Sequence, residues 1–474
     1  MKLRVGTSVV ALVLMALASA APAAASPATP RQQGGTSPTT PIRHFIFLMQ
    51  GGRTFDNYFG SYPGAAGPPV GTCQPKQAAR PKAGCVKPFP LTGKQLPPLG
   101  ASRTIVTNQY DHGKMNGFVS AYQLQARNGA NVMGYYDRSE LPFYWNAAGS
   151  YVLFDHFFSA TRYGIRANRS YWVSAATAPG GRGGVPAGGY GKQLTIFDRL
   201  QAAGVSWKFY VQDYNPSQTY RTASPANPET QTSRVPLVDY RRFTRDPALA
   251  GHIVGLDQYY QDLAAGTLPA VSYIASSPAD NERSARSIVA GQSLVRNLVT
   301  QLMQSPYWNS SALMWSYDSS GGWFDHVRPP RAGSADLGFR VPALLVSAYA
   351  RKGQVNHTVL DYTSALKFIE SNWRLAPLTT RDARASNLTS AFDFAAGPRP
   401  PSFIPSGSAP LKGTVPAAAP PRSTPVAAIY WLYGSAAAIG AALLLFAACW
   451  PALSARRRDR AAIRHPAPAD GASP

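Results

Sequence analysis

The chain has 474 residues, 45% of them hydrophobic, which is enough to bury one large core or two modest ones. This composition excludes a protein that is disordered throughout. The formal charge is +23, from 46 basic and 23 acidic side chains, and it favours anionic partners. The basic residues are scattered and are not grouped with aromatic residues, so we expect no nucleic-acid partner.

The first 25 residues carry the three parts of a secretory signal peptide. Lys2 and Arg4 precede a short apolar run, and small residues ending in Ala-Ala-Ala-Ser follow it. We therefore expect the mature chain to begin near Ser26, with an N-terminal linker over residues 26–43.

Residues 44–396 form the predicted external domain, in which apolar runs alternate with helical stretches. The first run, HFIFLM, ends at two glycines, as expected of a buried strand that enters a loop. Further strand-like runs are YVLFDHFF, SWKFYVQ, AVSYIA, ALMWSYD and VPALLVSA, and the helical stretches are TIFDRLQAAG, SIVAGQSLVRNLVTQLMQS and TSALKFIESNW. This alternation predicts an α/β fold with a central, mostly parallel sheet flanked by helices. The chemistry of such sheets collects at the carboxyl ends of the strands.

The chain has three cysteines, Cys73, Cys85 and Cys449. Cys449 lies in the apolar C-terminal segment, so we expect Cys73 and Cys85 to form a disulfide in an oxidising exterior. A metal-binding pair is the rival interpretation, but the sequence offers it no further ligands nearby.

The C-terminal part predicts a membrane anchor in three segments. Residues 397–425 are rich in Pro, Ser and Ala and are typical of a stiff tether. Residues 426–453 carry no charge and exceed the roughly 20 residues that cross a bilayer as a helix. Residues 454–474 begin with an arginine cluster, which favours a cytoplasmic tail and an external body. We expect a single-pass protein of the cell membrane with an extracytoplasmic N-terminal domain.

The external part is itself strongly basic. Leaving out the leader, with two positive charges, and the tail, with five arginines against two aspartates, leaves a formal charge of +18. A charge of this size suits phospholipid headgroups or acidic wall polymers as partners.

Six motifs, in order, resemble the phosphoesterase family of bacterial phospholipases C and acid phosphatases, in the alkaline-phosphatase-like superfamily. They extend from about His44 to Phe394 and are HFIFLMQGGRTFDNYFG, GKMNGFV, MGYYDRSELPFYWNAAGSYVLFDHFFSATRYGIRANRSYWVSAAT, TIFDRLQAAGVSWKFY, SPYWNSSALMWSYDSSGGWFDHVRPP and GFRVPALLVSAYARKGQVNHTVLDYTSALKFIE. The resemblance implies an alkaline-phosphatase-like fold and hydrolysis of phosphate esters. It also implies a divalent metal ion with hard oxygen ligands and a Thr or Ser nucleophile.

Two of the family's motifs have lost their reactive side chains here. Where the family has ENRSFD, this chain has GGRTFD, so Gly51 and Gly52 offer no metal ligand. Where the family has a pattern like APTDPNR, this chain has YGIRANR, which places Ile165 at the position of the nucleophilic hydroxyl. An isoleucine cannot attack phosphorus.

Two further motifs are partly substituted. The family's paired acids before Gly-Gly become Asp318 and Ser319, and its EHP or DHP becomes Glu282-Arg283, which loses an imidazole. Asp318 is either a surviving metal ligand or a carboxylate that caps nearby amides.

Most of the remaining candidates lie at positions that match the family, whereas Glu282 is a candidate compensating acid and Arg166 flanks the vacant nucleophile position. The predicted metal ligands are Asp318, Glu282 and Asp56; the predicted catalytic residues are His326, Asp325 and His357; and the predicted substrate-binding residues are Arg53, Asn168, Arg169 and Arg166. We expect Asp325 either to orient His326 for catalysis or to hold it in a structural turn. For His357, the alternative to a site role is a contact with Asp361.

These substitutions lead to two hypotheses. In the first, the centre has decayed, its divalent metal is weakened or absent, and the protein binds an anionic ligand such as a phosphate ester, lipid or wall polymer. In the second, the protein remains a phosphoesterase with a rebuilt site that uses Asp318, Glu282, Asp56 and His326.

Overall fold

The structure, a computed structural model, describes residues 36–407 except residues 92–97, 126, 179–183, 223–229 and 334. The predicted signal peptide, membrane helix and cytoplasmic tail lie outside the described residues, as do most of the N-terminal linker and most of the tether. Within the described ranges, no helix combines the length and the apolar content that a membrane crossing needs.

Strands and helices alternate along the described chain. The strands are β1 (His44–Gln50), β2 (Gln74–Pro75), β3 (Cys85–Val86), β4 (Phe89–Pro90), β5 (Gly134–Tyr135), β6 (Val152–Phe154), β7 (Phe157–Phe158), β8 (Trp207–Val211), β9 (Ile253–Gly255), β10 (Val271–Ala275), β11 (Ser311–Tyr317), β12 (Arg331–Ala332), β13 (Ala335–Asp336), β14 (Ala343–Ser347), β15 (Gln354–Asn356) and β16 (Leu360–Asp361). The α-helices are α1 (Phe55–Phe59), α2 (Arg103–Tyr110), α3 (Phe118–Gln123), α4 (Pro142–Ser150), α5 (Ile165–Ser174), α6 (Ile196–Ala202), α7 (Gln231–Arg234), α8 (Arg241–Arg245), α9 (Pro247–Ala250), α10 (Asp257–Ala265), α11 (Ile288–Gln304), α12 (Tyr362–Asn372) and α13 (Thr380–Arg384).

An eight-stranded sheet forms the centre, in the order β15-β6-β14-β11-β1-β10-β8-β9. Strand β1 pairs in parallel with both β10 and β11, β8 continues the parallel set to β9, and β15 runs parallel to β6. Only β14 of this sheet is antiparallel to its neighbours. The predicted α/β fold with a mostly parallel sheet is therefore confirmed.

Helices cover both faces of this sheet. On one face, Phe47 of β1 packs against Trp172 of α5 with ring centroids 5.6 Å apart. On the other face, Trp315 of β11 packs against Tyr144 of α4 at 5.7 Å. Strands that are buried on both faces need apolar residues at successive positions, which explains the unbroken run in β1.

The predicted strand-like runs and helical stretches all correspond to elements of the structure. The run YVLFDHFF contains both β6 and β7, and the three helical stretches become α6, α11 and α12. Helix α12 begins at a capping box in which Asp361 and Ser364 exchange side-chain and backbone hydrogen bonds. The three-residue strands β9 and β15, which form the two edges of the sheet, were not predicted from the sequence.

A disulfide joins Cys73 and Cys85, as predicted, with their Cα atoms 5.6 Å apart. It links the short strands β2 and β3, which lie in the long connection between α1 and α2. The disulfide therefore fixes a loop region that has little regular structure of its own.

The carboxyl ends of seven strands lie at one edge of the sheet. The segments that follow them include Gly51 after β1, Asp155 after β6, Asp318 after β11 and His357 after β15. Because β14 runs in the opposite direction, its amino-terminal end lies at the same edge and brings Arg340 there. This edge is where functional side chains are expected in such a fold.

Candidate functional site

Asp318, the first residue after β11, is fully buried between two arginines. Its Oδ2 accepts hydrogen bonds from Arg169 Nε at 3.0 Å and from Arg283 Nη2 at 2.9 Å. Its Oδ1 accepts one from Ser319 Oγ at 3.0 Å. Burial acts to raise the pKa of Asp318, but Arg283 and Arg169 outweigh it and hold that pKa below its ordinary value. Two guanidinium groups thus balance the charge of this carboxylate.

Arg169 is also fully buried, and its position is fixed from several sides. It lies in α5, and its guanidinium donates to the main-chain oxygens of Arg234 at 2.8 Å and of Gln50 at 3.1 Å. Helix α5 begins at Ile165, so the hydrocarbon side chain stands at the helix start where the resemblance expects a hydroxyl. Arg169 therefore joins β1, α5 and the loop after β11.

Gly51 and Gly52 have no room for a side chain. The Gly51 amide donates to Asn281 O at 2.7 Å, and a Cβ at position 51 would lie 2.6 Å from that oxygen. A Cβ at position 52 would lie 2.5 Å from the Cα of Gly321. The neighbouring loops therefore leave no room at positions 51 and 52 for the Glu and Asn side chains of the family.

Glu282 lies in a separate, fully buried set of tyrosines. Its carboxylate accepts hydrogen bonds from Tyr58 at 2.6 Å and from Tyr317 at 2.9 Å, and also from Tyr144. Burial raises the pKa of Glu282. Its main chain is in the left-handed region, with φ at 62°, and its main-chain oxygen accepts from Arg53 Nε at 2.6 Å. Glu282 thus fixes the backbone from which the next residue reaches Asp318.

Asp56, Asp325 and His326 gather around Arg340. Asp56 Oδ2 lies 2.7 Å from His326 Nδ1 and also accepts the His326 main-chain N–H. Arg340 donates to Asp56 Oδ1 at 2.7 Å and to Asp325 Oδ1 at 2.9 Å. Burial raises the pKa of Asp325, and the nearby Asp56 raises it further. The ring nitrogen of His326 is therefore hydrogen-bonded to Asp56, whereas Asp325 pairs with Arg340.

His357 lies at a third cluster, which sequence analysis did not anticipate. Its Nδ1 is 2.8 Å from Asp155 Oδ2, and His156 Nδ1 is 2.7 Å from Asp155 Oδ1. The alternative contact of His357 with Asp361 is wrong, because the Nδ1 partner is Asp155, while Asp361 caps α12 and pairs with Arg381. Asp155 and His156, directly after β6, were the available signal, since they stand at the carboxyl end of a strand.

The predicted substrate-binding residues are engaged inside the protein. Arg166 pairs with Asp239 and also donates to Thr232 O at 3.1 Å. The Asn168 side chain accepts from the Thr161 amide and donates to the Thr161 oxygen. Arg53 is buried, with its guanidinium carbon 4.9 Å from the centre of the Trp323 ring. Arg169 holds Asp318, as described above.

The structure distributes the predicted metal ligands among three clusters with different partners. In the described part of the chain, two groups of three or more acidic or imidazole side chains come close enough to hold a metal ion. They are Asp56–Asp325–His326 and Asp155–His156–His357. Asp56 belongs to one of these groups, whereas Asp318 and Glu282 belong to neither. The individual roles predicted from the sequence stay predictions.

Comparison with known proteins gives the family. Residues 42–376 match the model of the Phosphoesterase family. The chain belongs to the Phosphoesterase family. Phospholipase C A of Mycobacterium tuberculosis (strain ATCC 25618 / H37Rv) is 30% identical over 442 residues, which cover 80% of this chain and 82% of that protein. Non-hemolytic phospholipase C of Burkholderia pseudomallei is 28% identical over 426 residues, which cover 74% of this chain and 59% of that protein.

Solved structures give a looser match. A protein of the alkaline phosphatase superfamily from Vibrio parahaemolyticus aligns over 71% of this chain and 68% of its own, with 9% identity and a TM-score of 0.34. A similarity at this TM-score is too weak to support a conclusion. The fold is therefore assigned from the sheet order and from membership of the Phosphoesterase family.

The divalent metal implied by the Phosphoesterase family does not fit its expected place in this chain. Two guanidinium groups already bind the Asp318 carboxylate, and positions 51 and 52 can carry no ligand without moving the backbone. A cation brought to Asp318 would meet two like charges at close range. No chemical step can be derived through a metal ion at this position.

Proposed function

We propose that this chain is a membrane-anchored, extracytoplasmic member of the Phosphoesterase family that binds an anionic ligand and does not hydrolyse phosphate esters at the family's centre. The observation that carries the proposal is the pairing of Asp318 with Arg169 and Arg283. Both lone pairs of Asp318 Oδ2 are used by the two guanidinium groups, and Oδ1 accepts from Ser319 Oγ.

Energetics support a permanent arginine pair. A metal ion at Asp318 Oδ2 would have to displace at least one guanidinium and leave it without this partner. Breaking a buried ion pair by removing one partner costs about 3–5 kcal/mol. Arg169 is fully buried and donates to three main-chain oxygens, so moving it away from Asp318 would also break these hydrogen bonds.

The missing nucleophile supports the same proposal independently. Cleavage of a phosphate ester needs an attacking group as well as positive charge on the phosphoryl oxygens. Ile165 supplies no lone pair at the start of α5. The neighbouring Arg166 pairs with Asp239, so its charge is already balanced.

The proposed ligand is anionic, because the external part of the chain carries a formal charge of +18 and relatives bear the name phospholipase C. A phosphate-ester lipid or an acidic wall polymer has the required charge. The three predicted basic contacts, Arg53, Arg166 and Arg169, are used internally, so the ligand would meet other, exposed cations. Binding to phosphatidylglycerol vesicles in preference to phosphatidylcholine vesicles, weakened by salt, is the expected result.

The test of the non-hydrolytic assignment uses the full chain, purified in detergent. It is incubated with a chromogenic phosphodiester and a chromogenic phosphomonoester, each with Mn²⁺, Mg²⁺, Ca²⁺ or Zn²⁺. Phospholipase C A of Mycobacterium tuberculosis serves as the positive control. We expect rates equal to those of a protein-free blank. Metal-dependent turnover that Asp318→Asn abolishes would contradict the proposal.

An active phosphoesterase with a rebuilt metal site is the second candidate, and the group Asp56–Asp325–His326 is the observation that favours it. In that case turnover in the same assay would survive Asp318→Asn and would be lost in His326→Ala. The His326 side chain is 21% exposed, so its removal leaves the core intact.

The membrane anchor and the orientation are part of the proposal and rest on the sequence. The apolar segment 426–453 is followed by arginines, which favours a cytoplasmic tail. Protease added to intact cells should remove the external domain and leave the tail protected. Protection of the external domain would contradict this orientation.

A further inference from the structure

The cluster Asp155–His156–His357 lies two strands away from Asp318, at the opposite side of β14. Asp155 and His156 follow β6, and His357 follows the neighbouring parallel strand β15. Parallel pairing brings the two strand ends, and therefore the two imidazoles, to the same point of the sheet edge. Their ring centroids are 6.3 Å apart.

The carboxylate of Asp155 is completely buried, yet the charged or ionisable side chains that bind it are the two histidines. The Ala66 amide adds one more hydrogen bond, at 2.9 Å. Arg340 donates to the main-chain oxygen of Asp155 and pairs with Asp325 and Asp56, and its charge also acts on the Asp155 carboxylate. A neutral imidazole donates a hydrogen bond but supplies no charge, so the carboxylate and the two imidazoles can share an added cation.

Solvent reaches this cluster from the side of the imidazoles. The side chain of His357 is 62% exposed and that of His156 is 27% exposed, whereas Asp155 is at 0%. A metal ion can therefore approach the histidines from water, with the carboxylate behind them. The group Asp56–Asp325–His326 differs, because Arg340 already lies between its two carboxylates.

We propose that Asp155, His156 and His357 form a binding site for a borderline divalent transition metal, of the class of Zn²⁺. Imidazole nitrogens with one carboxylate oxygen are ligands that such ions prefer, whereas Mg²⁺ and Ca²⁺ prefer oxygen alone. The three ligands leave a fourth, solvent-facing position for water or for an anionic oxygen.

The distances allow this coordination after a small movement. One donor atom from each of the three residues lies within 4.8 Å of the others. Two ligand atoms of one tetrahedral Zn²⁺ are about 3.4 Å apart, because each bond is about 2.1 Å long. The exposed ring of His357 can close the difference by rotation. The metal replaces the imidazole contacts with the carboxylate, and any proton on a coordinating nitrogen leaves to solvent.

The test is Zn²⁺ binding to the full chain, stripped with a chelator and titrated in competition with a chromophoric chelator. The variants are His156→Ala and His357→Ala, and His112→Ala is the matched control because His112 is an exposed imidazole outside the cluster. We expect one Zn²⁺ per chain and a loss of affinity of about tenfold or more in each cluster variant. The control should bind as the parent does.

A second measurement distinguishes a metal site from a cluster whose imidazoles only make structural hydrogen bonds to Asp155. Co²⁺ in place of Zn²⁺ should give the visible d–d absorption of a nitrogen- and oxygen-ligated ion, and His357→Ala should change it. Absence of stoichiometric binding, or parent-like affinity in both cluster variants, would overturn the proposal. Neither outcome depends on whether the protein hydrolyses phosphate esters.

Discussion

Two buried carboxylates at the same edge of the sheet, Asp318 and Asp155, have opposite kinds of partner. Asp318 is held by two guanidinium groups, which carry permanent charge. Asp155 is held by two imidazoles, which are open to solvent. We infer from this comparison that the groups which neutralise a buried carboxylate decide whether it can bind a metal ion. A guanidinium neutralises the carboxylate as a metal ion would, whereas an imidazole and a carboxylate can coordinate the same metal ion.

The largest expected effect follows from removing a guanidinium from Asp318. Arg169→Met leaves a fully buried carboxylate with one cation fewer, so the free energy of unfolding should fall by about 3–5 kcal/mol. Denaturant unfolding, followed by far-UV circular dichroism, measures the change. The matched control is Arg351→Met, whose ion pair with Asp393 is 3.6 Å long and about half exposed. That variant should lose less than about 1 kcal/mol, and equal losses in both would contradict the central role of the buried pair.

The second effect concerns the pH dependence of the same carboxylate. The folded pKa of Asp318 lies below its ordinary value because Arg283 and Arg169 outweigh burial. The stability that this supplies is fully present above the unfolded pKa of about 3.9 and is lost as the pH falls through the lower folded pKa. Asp318→Asn should therefore be less stable than the parent at pH 7, and the difference should shrink in acid. Each tenfold difference in proton affinity between the folded and unfolded carboxylate corresponds to about 1.4 kcal/mol of this shrinkage. A difference that does not depend on pH would show that Asp318 contributes no charge interaction.

The third effect tests whether the family's ligands can be restored. Gly52→Asn brings back the residue type that the family carries, but its Cβ would meet the Cα of Gly321 at 2.5 Å. We expect a loss of about 1–3 kcal/mol in unfolding free energy and no gain of metal binding. Gly191→Asn is the control, because a Cβ at position 191 meets nothing within 4 Å. Wild-type stability in Gly52→Asn would show that the loop is open.

The smallest expected effect is at Asp155, the carboxylate that the two imidazoles hold. His357→Ala should lower the free energy of unfolding by less than about 1 kcal/mol, because its side chain is 62% exposed and water competes for its hydrogen bond to Asp155. Thermal unfolding of the metal-free chain checks this value. A loss as large as that of Arg169→Met would mean that His357 is a structural partner of Asp155 like the arginines of Asp318.

Much of the fold could be predicted from the sequence, because the sheet is buried on both faces and its strands are unbroken apolar runs. Strand β1 and helices α6, α11 and α12 are found where the patterns place them. The direction of β14 could not be predicted in this way, since an apolar run reads the same for parallel and antiparallel strands. That direction brings Arg340 to the carboxyl edge, between Asp56 and Asp325.

At the candidate site, the sequence predicted only which metal ligands and which nucleophile are missing. Compared with the family's motifs, the residues Gly51, Gly52 and Ile165 lack the expected metal ligands and nucleophile. The pairing of Asp318 with Arg169 and Arg283 depends on contacts across 149 and 35 residues of sequence. Likewise, His357 meets Asp155 across 202 residues, so no local pattern could have shown the pair.

The most direct measurement is anomalous scattering from crystals of the full chain equilibrated with Zn²⁺ or Mn²⁺. A Zn²⁺ peak between Asp155, His156 and His357, with no peak of either metal beside Asp318, is the result that we predict. A metal peak beside Asp318 and Ile165, with Arg169 or Arg283 displaced, would contradict the account.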